Sequence, residues 1–521
     1  MSMKRGFLFV LSVVALVFGY AVTGQANDRL KTLVVAVNSD PANLEPGTNK
    51  AYPIGSEVIL NVFDTLVAWT PPSFEKMEGR LAESWTVSAD GTEFTFKLRS
   101  GVKFHDGTAF DAEAVKFSFE RTKKINPYMK ANFGLIKEIK VLGPLEVKIS
   151  LTKAMPVFLS ILAQPQAAVV SPAAVKKFGD KFNVNPVGTG PFKFVSYTPD
   201  TNVVLAANAD YFRGAPKLSR IIYRVIPEAS TRRLELENGG IDISQQNGQL
   251  YSIPVEDIKA FAKNPDVDVI QVPSQIFRQF EFNNSHPDSP INDVRVRKAM
   301  AYAIDYDGLL NGILGGTASR IYGPLPTNSW AFNPAMKERA FSYNPEKAKK
   351  LLAEAGYKPG DLKFKLYSFQ GNLWGSLCTF LQANFKDVGI DVEVAQTEFP
   401  IYRNLHTTGK HEIAMDGRQP WYNDPDAHIT IGYYSALASS AMTFRMPEDA
   451  ELDALVLKAQ STVDFTERKQ LYFKIQDMIM DRVPAAYLFS NKIIVFKRSN
   501  VQGLVINSAP PLNEYWSVYK N

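Results

Sequence analysis

Strand-type and helix-type patterns alternate along the whole of this 521-residue chain, and that alternation limits its fold more than any other feature. Phe94, Phe96 and Leu98 alternate with Thr95 and Lys97, the period of a half-buried strand. Val296, Ala299, Met300 and Ala303 recur at the period of a helix with one buried face, and Arg295, Lys298 and Tyr302 fall on another. Strands interleaved with helices in this way predict an α/β protein with mixed sheets. The chain is too long for one core and predicts two or more domains. With 45% hydrophobic and 21% charged residues, it has the composition of a soluble globular protein that can fill such cores. No internal repeat, low-complexity tract or long flexible linker interrupts the pattern.

The best-defined stretch is Leu81–Glu120. Asp90-Gly91 predicts a hairpin turn, because glycine accepts the positive φ that such turns demand. His105-Asp106-Gly107 marks a second turn. Asp111 stands where a helix N-cap belongs, ahead of Ala112, Val115 and Phe119 on one helical face. Further strands are expected at Leu33–Val37, Leu145–Leu151, Phe192–Tyr197, Ser219–Ile226, Gln279–Asn283, Leu362–Tyr367, Ile390–Val394 and Ala486–Phe496. Helices are expected at Gly55–Leu66, Ala229–Asn238 and Leu377–Val388. Another starts at Asn344-Pro345 and closes at Gly356, and one more opens on Asp464 and Glu467 and stops at Pro484.

Residues 1–26 differ from the rest. Lys4 and Arg5 precede the apolar run Phe7–Val22, and Gly24-Gln25-Ala26 forms a small-x-small cleavage site. The pattern predicts a signal peptide removed after Ala26, giving a soluble periplasmic protein. The run is near the lower limit for a membrane span, and no cysteine stands at the cleavage region to carry a lipid. The single cysteine, Cys378, has Leu381 and Phe385 at helical spacing and is expected to be a buried apolar thiol. The formal charge of +5 has no basic run behind it, which argues against a nucleic-acid partner.

Motifs for catalysis are missing. No H-E-x-x-H and no G-x-S-x-G occurs, and His411-Glu412 lacks a second histidine. His105, His286, His406, His411 and His428 are scattered and are expected at the surface; only the loose His406/His411 pair approaches metal-ligand spacing. Asn423-Asp424-Pro425-Asp426 reads as a turn, since the glycine and distal glutamate of a calcium loop are absent. Val187-Gly-Thr-Gly-Pro-Phe lacks the remaining residues of either nucleotide fingerprint and reads as a turn too. No cofactor and no metal is expected.

The residue order of AESW…DG…FTFKLR.GVKFHDG..F.AE.VKFSFER in the Leu81–Glu120 stretch closely resembles the signature of the family 5 extracellular solute-binding proteins, the receptors of peptide, oligopeptide, nickel and some oligosaccharide ABC importers. Pro290–Asp305 is similar to the family's second motif nearly position for position. Leu44-Glu45-Pro46, the Gly188-Thr-Gly190 turn and Asn344–Gly356 also resemble family segments. The resemblance covers the chain from about Asp28 onward. It implies a bilobed periplasmic-binding-protein-like fold. The first lobe would hold residues 27–278 and 486–521 with an inserted subdomain near 62–185, and the second lobe residues 279–485. Segments near Gln271–Phe282 and Pro484–Ser490 would form a two-segment hinge. The implied partners are a small-molecule or peptide ligand and ABC permease subunits in the inner membrane, and the protein itself is expected to be a monomer.

Peptide binders of this family often hold the ligand ammonium with an aspartate in a G-W-x-x-D-x-x-D-P-like segment. Aligning Asp424-Pro425 with that motif puts Trp421 at the aspartate position and Arg418 at the tryptophan position, with Asp424 as the fallback ammonium partner. The arginine that dipeptide binders of the family place just before the helix expected here from Leu377 is also missing from Asn372–Leu377. The residues instead offer aromatics (Trp374, Phe399, Trp421, Tyr422), neutral amides (Gln245, Gln246, Asn247, Gln419, Asn423) and Arg418 for an anionic group. Gln245, Gln246 and Asn247 are expected just past the end of a strand, where open α/β sheets bind ligands. Asn49, Lys50, Ala51 and Tyr52 match the family's stretch whose backbone pairs with an extended peptide. Two kinds of ligand stay open: a peptide, or an oligosaccharide or opine-like conjugate. A secreted hydrolase and a scaffold without a small ligand are the rival classes.

Overall fold

The computed structural model describes residues 29–521 apart from 49–52, 71–75, 128, 247–254, 287, 421, 438–445 and 508–512. The leader lies outside the described residues. An 11-stranded mixed sheet runs through the centre. From one edge its strands are Ile390–Thr397, Leu362–Phe369, Ile413–Arg418, Val267–Phe282, Ala485–Arg498, Ile243–Gln246, Thr32–Val37, Arg220–Val225, Asn202–Ala207 and Phe192–Thr198, with Ala318–Arg320 paired onto Ala485–Arg498.

Two strands in this order are much longer than the others and make the molecule two-lobed. Val267–Phe282 has 16 residues and Ala485–Arg498 has 14, and they pair antiparallel. Their register breaks between Pro273 and Phe277, because proline brings no N–H to the ladder. On one side of the break, Val267, Ile494 and Phe496 pack with Val34, Leu236 and Phe261. On the other, Phe280, Phe282, Ala486 and Leu488 pack with Met300, Leu377 and Phe385. Each long strand therefore belongs to two separate cores. On either side of this pair the sheet is extended by parallel ladders, Thr32–Val37 with Arg220–Val225 in the first lobe and Leu362–Phe369 with Ile390–Thr397 in the second.

The Leu81–Glu120 stretch forms half of a subdomain on the first lobe. Strands Ala82–Val87, Glu93–Leu98, Glu146–Leu151 and Ile136–Gly143 make a four-stranded antiparallel sheet. Gly91 has φ +68° in the hairpin turn, and the Asp111 carboxylate accepts from the Ala114 amide at 2.9 Å to start helix Ala112–Ile125. Phe94, Phe96 and Phe119 are fully buried between sheet and helix.

The Gly188-Thr-Gly190 turn is a packing device. A Cβ at Gly188 would lie 2.2 Å from the Val62 carbonyl oxygen, so only glycine lets this turn approach the end of helix Pro53–Val62. The Gly190 amide donates to that carbonyl at 2.9 Å, which closes the helix four residues before the expected Leu66. Two other differences affect the site. Helix Asn372–Asp387 starts five residues earlier than expected and takes Trp374 inside it. Strand Ile243–Gln246 includes Gln245 and Gln246, whose backbones pair with Val495 and Ile494, because the long partner strand extends the ladder that far. The expected capped helix at Asp464 is present: its carboxylate accepts from the Glu467 amide at 2.7 Å. Cys378 is buried in the second-lobe core, and burial pushes its thiol up to about 11.

Candidate functional site

A cleft, part of it open to solvent, is lined by residues of both lobes. The short strand Val67–Trp69 pairs with Met77–Gly79, and this pairing sets Trp69 and Arg80 on the first-lobe wall. Helix Phe158–Leu162 adds Ser160, and Gln164 follows at the start of the next turn. The C-terminal tail adds Asn507 and Glu514. Its path is fixed by one face of helix Pro53–Val62: Asn61 accepts from the Tyr515 amide at 2.8 Å, and Glu57 accepts from the Tyr515 hydroxyl at 2.7 Å. From the second lobe come Tyr422 and Asn423, on the turn after strand Ile413–Arg418. Tyr422 and Ala427 pack into the first-lobe subdomain core, so the lobes touch here.

Every carboxylate around this cleft among the described residues is held by protein groups. Arg80 donates to both Glu514 oxygens, at 3.1 and 2.8 Å, and its Nε lies 3.0 Å from Glu78. Burial works against the Arg80 charge, but Glu514 and its other acidic neighbours outweigh it and raise the pKa. Asp64 accepts from Thr189 and Tyr211, each at 2.8 Å. Burial pushes the Asp64 carboxyl up, and Arg80 offsets part of that. Arg468 grips Asp424 with two parallel bonds of 2.8 and 2.6 Å, the geometry that favours arginine for carboxylates. Asp426 accepts from Tyr422 at 2.6 Å and from Thr430, and burial raises its pKa.

The neutral donors are treated differently. Trp69 Nε1, Gln164 Nε2 and Asn423 Nδ2 are buried and have no hydrogen-bond partner among the described residues. Asn423 uses its carbonyl, accepting from Gln275 at 2.7 Å. A buried donor without a partner is costly, and three of them line one cleft.

A second polar cluster lies in the second-lobe core. Glu281 accepts from Arg418 at 3.0 Å and from Gln279 at 2.6 Å, and its other oxygen lies 2.7 Å from His406 Nε2. The His411 ring stacks on His406 with centroids 4.3 Å apart. Arg403 donates to Asp416 at 3.3 Å. Burial opposes the Glu281 charge, but Arg418 and His406 hold the carboxyl well below its usual range. Glu281, His406 and His411 bring potential ligand atoms within 4.8 Å of one another, a grouping that the His406/His411 spacing only half indicated. A dication there would share Glu281 with the Arg418 guanidinium, so the arrangement fits a charge-balanced network better than a metal centre.

The expected site residues separate accordingly. Tyr422 and Asn423 line the cleft. Arg418 does not face an anionic ligand; it is buried against Glu281, because an unpaired buried guanidinium would be more costly. Asp424 is not a spare ammonium partner, since Arg468 holds both its oxygens. Trp374 is core rather than cleft, packed on Phe369 with Arg278 over its ring. Phe399 is 57% exposed and packs on Phe369. Gln419 is half-buried and, like Trp374 and Phe399, is not among the lining residues. Gln245 and Gln246 lie within a strand, and Asn49, Lys50, Ala51, Tyr52, Asn247 and Trp421 lie outside the described residues.

The histidine expectation needs correcting as well. His406, His411 and His428 are buried, and His105 is half-buried, with its Nε2 2.9 Å from the Gly190 carbonyl. His428 lies against Phe277, with ring centroids 5.1 Å apart. Sequence reasoning missed Trp69, Arg80, Gln164 and Glu514. Trp69, followed by Thr70-Pro71-Pro72, carried the one local hint of a wall residue; Glu514 had none, as it reaches the cleft only through the tail.

A sheet shared by two lobes, with a cleft lined from both, defines the architecture of a protein that holds a small solute between its halves. The model for bacterial extracellular solute-binding proteins, family 5 (middle part), matches residues 76–439, and the chain belongs to this family. It is 29% identical over 539 residues to the probable D,D-dipeptide-binding periplasmic protein DdpA of Escherichia coli (strain K12), an alignment that covers 99% of each chain. Among solved structures, DppA from Helicobacter pylori in complex with peptide STSA is 27% identical with a TM-score of 0.74, covering 95% of this chain and 99% of that one. HbpA2 from Haemophilus parasuis shares the fold, with a TM-score of 0.85 at 24% identity and coverage of 94% of this chain and 100% of that one.

Proposed function

We propose that this protein captures a peptide or peptide-like solute between its lobes in the periplasm and delivers it to an ABC importer in the inner membrane, without chemistry of its own. The observation that carries this reading is the cleft itself, with Trp69, Arg80 and Gln164 on one lobe and Tyr422 and Asn423 on the other. A ligand bridging those walls stabilises the closed arrangement over the open one. The names of relatives at 29% and 27% identity point to peptides as the solute.

In this reading residues 27–278 and 486–521 form the first lobe, with a subdomain near 62–185, and residues 279–485 form the second. Closure bends the long strands near the Pro273 register break. The mature protein begins after Ala26, carries no lipid and works as a monomer. Among the described residues no helix is long and apolar enough to cross a membrane.

The test is calorimetry and small-angle scattering on protein stripped of ligand by unfolding and refolding, with L-Ala-L-Ala, D-Ala-D-Ala and tri-alanine as probes. Binding of at least one probe with a fall in radius of gyration supports capture between lobes. Binding without compaction overturns the two-lobe mechanism. Turnover of a probe by the pure protein overturns the non-enzymatic reading.

A further inference from the structure

Among the described residues, the buried side-chain atoms of the cleft that lack a hydrogen-bond partner are all donors, and that says what kind of ligand group suits it. The inference rests on the solute-binding reading above and concerns the ligand class of the same site. Trp69 Nε1, Gln164 Nε2 and Asn423 Nδ2 come from three different segments and both lobes, and none has a partner among the described residues. An indole N–H can only donate, and an amide nitrogen can only donate. Each needs an acceptor oxygen, and a carboxylate or closely spaced carbonyl oxygens supply several lone pairs without bringing a further donor into the cleft.

The same cleft offers a free ammonium nothing comparable. Glu514 is bridged by Arg80 through both oxygens, and Asp424 by Arg468 through both oxygens. Asp64 already accepts from Thr189 and Tyr211, and Asp426 from Tyr422, Thr430 and Gln460. An ammonium would meet carboxylates whose charge is already balanced or whose oxygens already accept, and at Glu514 and Asp424 it would compete with a buried guanidinium. Exchanging one cation for another at a buried carboxylate leaves the displaced arginine without a partner.

We propose that this cleft recognises its solute through carboxylate or carbonyl oxygens bound by Trp69, Gln164 and Asn423, and that it requires no free amine, so that its ligand class is an acidic, peptide-like molecule whose nitrogen is acylated or otherwise masked. The three donors act as a fork assembled only when the lobes meet, because Asn423 belongs to the second lobe and the other two to the first.

The experiment compares matched probes by calorimetry: L-Ala-L-Ala and tri-alanine with a free amine, the same peptides N-acetylated, and each N-acetyl peptide as its C-terminal amide. The variants are Trp69→Phe, which removes one donor and keeps a ring, and Asn423→Asp, which replaces the Nδ2 donor by an acceptor and leaves the oxygen that Gln275 uses. The expected result is that N-acetylation changes affinity by less than about threefold, while Trp69→Phe weakens the acetylated probes by about tenfold, the scale of one hydrogen bond. Asn423→Asp should weaken them further and shift preference toward the free amines. Preference of the wild-type protein for free amines by about a hundredfold overturns the inference and leaves the solute-binding reading intact. Binding of acetylated probes that neither variant alters overturns the donor assignment. Failure of every probe to bind overturns the peptide reading itself, and the inference with it. Circular dichroism and melting of both variants establish that they fold.

Discussion

The second-lobe polar cluster and the interlobe cleft contain similar kinds of groups under opposite rules. Around Glu281, each charge meets an opposite one: Arg418 on Glu281, with the His406 ring at its other oxygen, and Arg403 on Asp416. Deep in the same lobe Arg468 holds Asp424 in the same way. In the cleft, ion pairs are complete as well, but the neutral donors Trp69, Gln164 and Asn423 are left over. Buried charge that is paired inside the protein serves to fix a shape. Buried donors left unpaired weaken the empty protein and favour the occupied one. The contrast separates the part of the molecule that holds the fold from the part prepared for a partner.

Breaking the network should therefore cost stability, and breaking the cleft should not. Arg468→Met leaves Asp424 buried without its cation and should lower unfolding free energy by about 4 kcal/mol in a urea titration. Adding Asp424→Asn to that variant should recover most of the loss; if the double variant stays as weak as the single one, the pair is not the cause. Glu281→Gln should cost about 3 kcal/mol at neutral pH, by stranding Arg418.

That second loss has a pH signature. The folded-state pKa of Glu281 lies below its unfolded value, so the stability it contributes is present above about pH 4.5 and is lost as pH falls below that. The difference between wild type and Glu281→Gln should narrow over the same range, and a constant difference from pH 7 to pH 3.5 would contradict the charge network.

His428 gives a smaller effect at milder pH. Burial, with help from Arg418, lowers its pKa to about 3, so the folded protein keeps it neutral. The unfolded chain takes up that proton below about pH 6.5, and stability falls as pH drops from there. His428→Leu should remove about 1–2 kcal/mol of the stability difference between pH 7 and pH 5, read from melting curves at the two values.

The smallest expected stability change is in the cleft. Trp69→Phe and Gln164→Leu remove unpaired donors, so each should leave the empty protein within about 0.5 kcal/mol of wild type or slightly more stable. A loss of 2 kcal/mol from either would show that its donor is used by the fold, and the contrast between the two regions would disappear.

Local pattern determined much of this. The Asp90-Gly91 turn, the Asp111 and Asp464 caps, the alternation at Phe94–Leu98 and the helical face at Val296–Ala303 are all present as expected. These features report on neighbours within a few residues, where backbone geometry and periodicity act. The order of motifs also carried the family and the two-lobed architecture.

Of the residues that line the cleft, the sequence pointed only to Tyr422 and Asn423, because its other walls are joined by contacts far apart in sequence. Whether Asp424 is free for a ligand depends on Arg468, 44 positions away, and whether Arg418 is free depends on Glu281, 137 positions away. Glu514 reaches the cleft because Glu57 and Asn61 hold the tail. A sequence names the ionisable groups, but which of them neutralise one another is decided when strands 16 and 14 residues long bring two cores side by side. A pairwise electrostatic choice of that kind leaves no periodic trace along the chain, and so only the tertiary structure shows which donors remain for a ligand.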